Sequence, residues 1–571
     1  MKIKTSLTAL LMTAALSVSA PVQAANDFGT IFLPDASSSS DTTEVMTDNN
    51  SNVSYTSAGS ISQIPVAIHI DILSDDSRKI STYADYSWPV MLDPSAYPEL
   101  DAALTATTDK IAAIGKENFE KLQSYAESDS SNADDEDSTF YSSWQDAVIC
   151  RSDTAIFSFL SDDYFSAGGP HPYSSYTTYN FDPSTGAALS IRDVASDWNT
   201  LKNVIYNRMH EQYSYLFSEE GSTIETSLNE FLDEKPDQIH WVMKNDSVEV
   251  YFNTYELGTY ADGSQQLTFL FSEDRDLFSA AYTTTPDRYI QRISSYGSTY
   301  IDPDGDGSYD EMQIDSYYSD SKNSYSLTYQ GTTIELEDDK LDFGKFYLVH
   351  FPSAEYIYFL GSLTDEYWEK LSIIDLNTMT LTKDAISNID LSPTLNSSSN
   401  SGDTDNPYSP YSYEQGSFLD PDLFFISEPL KIFGNYPGNT ACSIGTDGIP
   451  QLESSVSYST QTNLFQAVQA IPCMAVDADG NPVGPAIIRA GDYVRFERTN
   501  SSDWVDFYPV AADNVKNNGS DDDPKFYAID DSLISEQPYY YRAAARIEDG
   551  FCFINDLEQS ELFRGIIDRN Y

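Results

Sequence analysis

Two periods run along this chain. Val66, Ile68 and Ile70 alternate with Ala67 and His69, a spacing of two that predicts a strand. That spacing makes His69 a residue of a strand face rather than a metal ligand, since one histidine makes no site. From Pro98 the period lengthens. Leu100, Leu104, Thr107, Ile111, Leu122 and Tyr125 recur at helical spacing to about residue 127, and Pro98 suits a first helical turn. Residues 128–138 read as an acidic loop. Strands follow at 146–160 and 174–191, the second interrupted by the turn Asp182-Pro183-Ser184-Thr185-Gly186. There proline presets φ and glycine supplies the left-handed position, and Leu189 and Ile191 then alternate as in a half-buried strand. Leu201, Val204, Ile205, Met209, Tyr213 and Leu216 line one face of a helix over 197–217, and a short helix near 226–234 precedes strands at 240–243 and 248–252. Residues 61–285 thus read as an α+β domain, helices packed on an antiparallel sheet.

Beyond residue 286 the helical period is gone. Apolar and aromatic runs at 325–329, 345–350, 356–360 and 371–376 predict a turn-rich β module over 286–391, with His350 packed in a strand. Residues 25–60 and 392–417 are built from Ser, Thr, Asn and Asp with few apolar groups, and composition makes both linkers, the first disordered. The remainder, 418–571, is again β-rich. Its stretch 488–496 followed by Trp504-Val505-Asp506-Phe507 weakly resembles an SH3-like barrel hairpin, and Asp477-Ala478-Asp479-Gly480-Asn481 reads as a hairpin turn.

Charge narrows the partners. Thirty-one basic against 90 acidic residues leave a formal charge of −59 over 571 residues, which argues against nucleic acid and anionic membranes and suits a cationic partner, a divalent metal, or solubility outside the cell. Lys2 and Lys4, the apolar run 7–20 and Val22-Gln23-Ala24 have the form of a secretory signal peptide (1–24), so a mature multidomain bacterial protein is expected to begin at Ala25, secreted, without a lipid anchor or retained membrane span. The four cysteines, Cys150, Cys442, Cys473 and Cys552, have no metal spacing. Cys150 reads as a small core residue, and Cys442, Cys473 and Cys552 allow at most one disulfide among themselves.

One loop carries recognisable chemistry. Asp302, Asp304, Asp306 and Asp310 stand at positions 1, 3, 5 and 9 of 302–310, with Ser308 placed to offer its carbonyl, a set that suits a hard cation such as calcium. An EF-hand needs a glutamate at position 12, where Gln313 stands, and the flanks read as strands. The loop therefore resembles the β-hairpin calcium loops of FG-GAP repeats, with a structural ion; a plain acidic hairpin turn is the other reading. Neither GxSxG, HExxH, a P-loop nor a dinucleotide fingerprint occurs, the five histidines are scattered, and the reading is non-enzymatic.

The stretch Tyr164, Gly168, Gly169, His171, Asn180, Phe181, Asp182, Thr185, Gly186, Leu189 and Asp193 resembles the extracellular domain of the RsiV-like family, shared by the anti-sigma factor RsiV and the peptidoglycan deacetylase PdaC. Tyr97-Pro98-Glu99-Leu100 with Ala103-Leu104, Arg151-Ser152-Asp153 with Ser158-Phe159, and the stretches 252–256 and 260–263 supply further blocks, so the resemblance covers roughly 62–279. It implies capture of an extracellular ligand such as a basic, lysozyme-type protein, and most of its blocks are fold determinants, with Tyr164 and His171 as loop candidates for ligand contact. The metal-binding region of the deacetylase and the cytoplasmic half of the anti-sigma factor have no counterpart here. Forty-one tyrosines and six tryptophans leave a second reading, a cell-wall or glycan-binding protein using aromatic surfaces on peptidoglycan, and a third, a hydrolase without a visible motif.

Overall fold

The computed structural model describes residues 61–566, apart from 78, 130–139, 170, 218–222, 320–321, 339, 365–367, 392–393, 400–410, 434–435, 460–462, 521–523, 529–538 and 549–550. The expected signal peptide and the linker 25–60 lie outside the described residues. Among the described residues no helix is long and apolar enough to cross a membrane.

The N-terminal region is α+β. Strands β1 (Val66–Asp75), β2 (Ser81–Met91), β3 (Phe140–Ser152), β4 (Phe157–Ser166) and β5 (Tyr173–Phe181) stand side by side in that order. All pair antiparallel except β2 with β3, which run parallel because the chain crosses back through the long helix Pro98–Asp129. That helix buries Leu100, Leu104, Ile111, Phe119 and Leu122. Gly115 lies directly against β2, where any Cβ would collide with the Tyr86 ring. Tyr125, expected on the buried stripe, is 50% exposed; Leu122, Gln123 and Ala126 take the core side of that turn.

The turn after β5 forms as its sequence dictates. Asp182 Oδ1 accepts from the amides of Ser184 (2.8 Å) and Thr185 (3.2 Å), and Gly186 sits at φ 66°. The strand expected over Leu189 and Ile191 does not form. Ile191–Val194 is a helical turn closed by the reciprocal Ser190–Asp193 capping box, which competes successfully with the short alternating pattern. Asp197 then caps the helix Trp198–Gln212 through the Thr200 amide (2.8 Å). With the short helix Ile224–Asn229, this helix covers a small antiparallel sheet, β6 (His240–Met243), β7 (Ser247–Phe252) and β8 (Gln265–Leu270), around Leu201, Ile205, Met209, Trp241, Val250 and Phe269. The sequence pattern alone did not mark β8.

The next sheets are all β. The strands β10 (Gly297–Ile301), β11 (Asp310–Ser319), β12 (Lys322–Tyr329) and β13 (Thr332–Glu337) form one sheet. The second, in the order β17 (Thr380–Ile389), β16 (Glu369–Asp375), β15 (Ala354–Leu363), β14 (Leu341–Phe351) and β9 (Tyr289–Ile293), packs on it through Ile301, Met312, Leu327, Phe346, Leu348 and Phe359. The segment 392–417, read by composition as a linker, contains β18 (Thr394–Ser399) and β19 (Tyr411–Gly416), and β19 pairs with β1 from Ala67↔Gly416 to Ile72↔Tyr411. Backbone pairing needs no apolar side chains, so composition misreads such strands. It also extends the first unit's sheet beyond residue 285. The C-terminal part is a large, branched β-sheet around Phe433, Phe465, Phe496, Phe507 and Phe563. All four cysteines are free, and Cys150, Cys442 and Cys552 are buried.

Candidate binding face

The residue blocks that carry the sequence resemblance mostly hold the first unit together. Arg151 is fully buried; its guanidinium donates to Asp153 Oδ2 and to the carbonyls of Tyr282 and Thr284, each at 2.6 Å. Ser158 donates to Asn180 Oδ1 (2.7 Å), and Asn180 donates onward to the Trp241 carbonyl (2.8 Å), tying β4 and β5 to β6. Asn253 pairs with the amide and carbonyl of Tyr176 (2.8 and 3.0 Å), closing the outer edge of β5 as a neighbouring peptide would. Among the described residues these groups are saturated and buried or half-buried, which is the geometry of fold determinants.

One face of the large sheet is left over. Alternation along β2, β3 and β4 sends Tyr86, Tyr141, Ser143 and Phe159 toward the long helix. It sends Tyr83, Asp85, Trp144, Asp146, Asp162 and Tyr164 the other way. The half of that second face nearer Cys150 and Leu160 is covered by Val242 and Tyr251 of the small sheet. The rest remains accessible, with Asp146 exposed and the other five half-buried. Register builds the patch: Asp85 stands opposite Trp144, Trp144 opposite Tyr164, and Asp146 opposite Asp162. The Trp144 and Tyr164 rings stack at 3.8 Å with 10° between planes.

The carboxylates crowd one another. Directly opposed like charges are unfavourable across a sheet, and here both desolvation and repulsion push the same way. Desolvation by burial, then the Asp146 charge, raise Asp85 well above the carboxylate range. Desolvation also raises Asp146, with Arg292 opposing it, and brings Asp162 up to about 6, helped by Asp146 and Asp163. The hydroxyls of Tyr83 and Tyr176 are pushed up by burial and by the same carboxylates, Tyr176 to about 12. Asp85 Oδ1 is sealed from solvent without a hydrogen-bond donor among the described residues. This face sets several carboxylates beside a stacked aromatic pair, with Arg292 as a cation that acts on them. Chemically it can receive a basic side chain.

Tyr164, expected on an exposed loop, lies within β4 and joins this face. His171 is on the exposed loop as expected, but its ring meets the edge of Tyr260 at 4.5 Å and makes no contact with the carboxylates among the described residues. Of the glycine pair before it, only Gly168 takes a positive φ (73°). Sequence reasoning missed Tyr83, Asp85, Trp144, Asp146 and Asp162. Their signal is an aromatic and an acid two apart on each of three strands: Tyr83 and Asp85, Trp144 and Asp146, Tyr164 and Asp162.

The loop 302–310 joins β10 to β11 as a hairpin. It brings Asp302, Asp304 and Asp306 together, with ligand oxygens all within 4.8 Å of one another, Asp302 buried and the other two exposed. Asp302 accepts from the amides of Asp306 (3.1 Å) and Gly307 (3.0 Å), and burial followed by the neighbouring carboxylates raises its pKa. The Asp310 carboxylate instead accepts from the Tyr329 hydroxyl (2.7 Å), and Ser308 donates its amide to Asp306 (2.7 Å). Three of the four expected carboxylates therefore converge, and their mutual repulsion is the kind a hard cation relieves. Behind them the fully buried Glu355 accepts from the Asp302 amide (2.8 Å) and pairs with His350 (2.7 Å). His350, expected simply to pack, thus serves as the partner of a buried carboxylate. Elsewhere a cavity of about 400 Å³ is lined by Thr177, Phe231, Asp237, His240 and Glu256, with His240 Nε2 at 3.1 Å from Glu256.

Fold and site define an α+β unit with an acidic, aromatic sheet face, followed by β-rich units. No family model and no curated protein matches the chain. Two solved structures that it resembles are DUF3298-family proteins. One, from Bacteroides fragilis NCTC 9343, is 12% identical over 38% of this chain and 94% of that one, with a TM-score of 0.27. Another, from Pseudomonas aeruginosa PAO1, is 12% identical over 39% of this chain and 98% of that one, with a TM-score of 0.26. Likeness at this level carries no argument about ligands.

Proposed function

We propose that this chain is a secreted, non-enzymatic, RsiV-like binding protein that captures a basic extracellular protein of lysozyme type on the open face of its N-terminal sheet. The observation that carries the reading is the uncovered patch of Asp85, Asp146 and Asp162 beside the stacked Trp144 and Tyr164. An overall charge of −59 steers a cation toward it. The loop of Asp302, Asp304 and Asp306 holds a structural calcium ion in this reading, stabilising the β10–β11 hairpin without entering the binding face. The test is calorimetry with lysozyme at low and moderate salt, with and without calcium. Saturable binding that survives moderate salt supports capture. Heat that vanishes with salt is long-range charge attraction alone and ends the reading. The same aromatic pair also suits a sugar ring, and retention of the protein on peptidoglycan in place of lysozyme binding would favour a cell-wall ligand.

A further inference from the structure

The acidic face already has a cation near it. Strand β9 packs beside β3. Its Gln291 accepts from the Asn245 amide (3.2 Å) in the β6–β7 turn, which fixes the strand against the first unit. The next residue, Arg292, is exposed, and its charge acts on both Asp146 and Asp162, opposing the rise that desolvation produces. It makes no hydrogen bond to either carboxylate among the described residues. Tyr296, 71% exposed, follows it and stands near Tyr176 at the border of the same face.

A guanidinium built for structure in this protein looks different. Arg151 donates three bonds of 2.6 Å from full burial, and Arg498 and Arg542 both donate to the buried Asp506 at 2.7–2.9 Å. Arg292 has none of that anchoring. Its strand holds it beside the face, and its guanidinium makes no hydrogen bond among the described residues. The planar, weakly hydrated guanidinium is the side chain best suited to lie on an aromatic stack while meeting two carboxylates.

Resting on the capture reading above, we infer that Arg292 is a resident competitor: the face is a receptor for an arginine of the partner, and binding exchanges the chain's own loosely held cation for a better-placed one. A second copy of this chain is an unsuitable occupant, since two chains of formal charge −59 repel. A basic protein surface is the complementary one.

The test uses the full-length protein and two probes, lysozyme and a tetra-arginine peptide, at moderate salt. Arg292→Gln is expected to tighten both about fivefold, the scale of one lost exposed charge pair, while Arg292→Lys stays near wild type. Asp146→Asn with Asp162→Asn is expected to weaken both at least tenfold. Unchanged melting of Arg292→Gln would show that its effect is on the face and not on folding. An unchanged or weakened affinity in Arg292→Gln overturns the inference, as does tightening that persists when Asp146 and Asp162 are neutralised. Tetra-arginine binding that obeys this pattern while lysozyme fails to bind would keep the competitor and discard the lysozyme-type partner. Failure of both probes with both proteins would discard the two together.

Discussion

Replacing Asp162 by asparagine should stabilise the protein while removing one charge from the acidic face. Asp162 stands opposite Asp146, and its carboxyl is raised from 3.8 to about 6, by desolvation first and by Asp146 and Asp163 next. Because the folded-state pKa lies above the unfolded one, the ionised form is the one that the fold disfavours. The penalty is absent below the ordinary value of 3.8, grows as pH rises between 3.8 and about 6, and is complete above it. The gap between those values corresponds to on the order of 3 kcal/mol. The side chain keeps contact with water, which screens this to about 1–2 kcal/mol. Asparagine keeps the shape and removes the charge. At pH 7.5 the variant should melt roughly 3–6 °C higher if the first unit unfolds cooperatively, and the gain should shrink steadily as pH is lowered from 6 toward 4. Scanning calorimetry of both proteins across that range is the assay. A variant that melts at or below the wild-type temperature at pH 7.5, or one whose gain grows on acidification, would refute the reasoning.

Three other outcomes follow from the same structure. Arg151→Ala strips a buried carboxylate and two carbonyls of their donor, so the first unit should lose about 3–5 kcal/mol in urea unfolding; a loss under 1 kcal/mol would show that the pair is dispensable. Calcium at a hundredfold excess over its dissociation constant should stabilise the wild type by about 2.7 kcal/mol, read as a rise in melting temperature, and should do nothing to the variant carrying both Asp304→Asn and Asp306→Asn; an equal rise in both would remove the ion from this loop. Burial pushes the thiols of Cys150, Cys442 and Cys552 up to about 12, so an aromatic disulfide reagent at pH 8 should label these three only after denaturation, and rapid labelling of more than one thiol in the native protein would contradict that burial.

How far the sequence foretold this structure depends on distance along the chain. The turn at 182–186, the long helix from Pro98 and the strands of the middle unit are local, and their glycines, prolines and periods marked them. Ile191 went astray because four residues of alternating pattern weigh less than a closed capping box between Ser190 and Asp193. The segment 392–417 misled because its strand Tyr411–Gly416 pairs with residues 67–72, more than 300 positions away, and its own composition is that of a linker. The candidate face was hidden for the same reason. Asp85, Trp144, Asp146 and Asp162 become neighbours only through strand register, so a search for clustered residues passes over them, and Tyr164 alone was visible, through the sequence resemblance. Three of the residues in the acidic loop were foreseen to converge because loop spacing is local. Asp310 departed because Tyr329, on the neighbouring strand, holds its carboxylate.

The claim that matters most is that the open sheet face captures a basic protein. Its most direct test is a side-by-side titration of lysozyme into the wild type and into a variant carrying Asp85→Asn, Asp146→Asn and Trp144→Ala, at 150 mM salt, roughly the physiological screening regime. Saturable binding by the wild type and at least a tenfold loss in the variant, with its melting temperature preserved, is the predicted result. Equal affinity in the two proteins would place the binding elsewhere and contradict the assignment of this face.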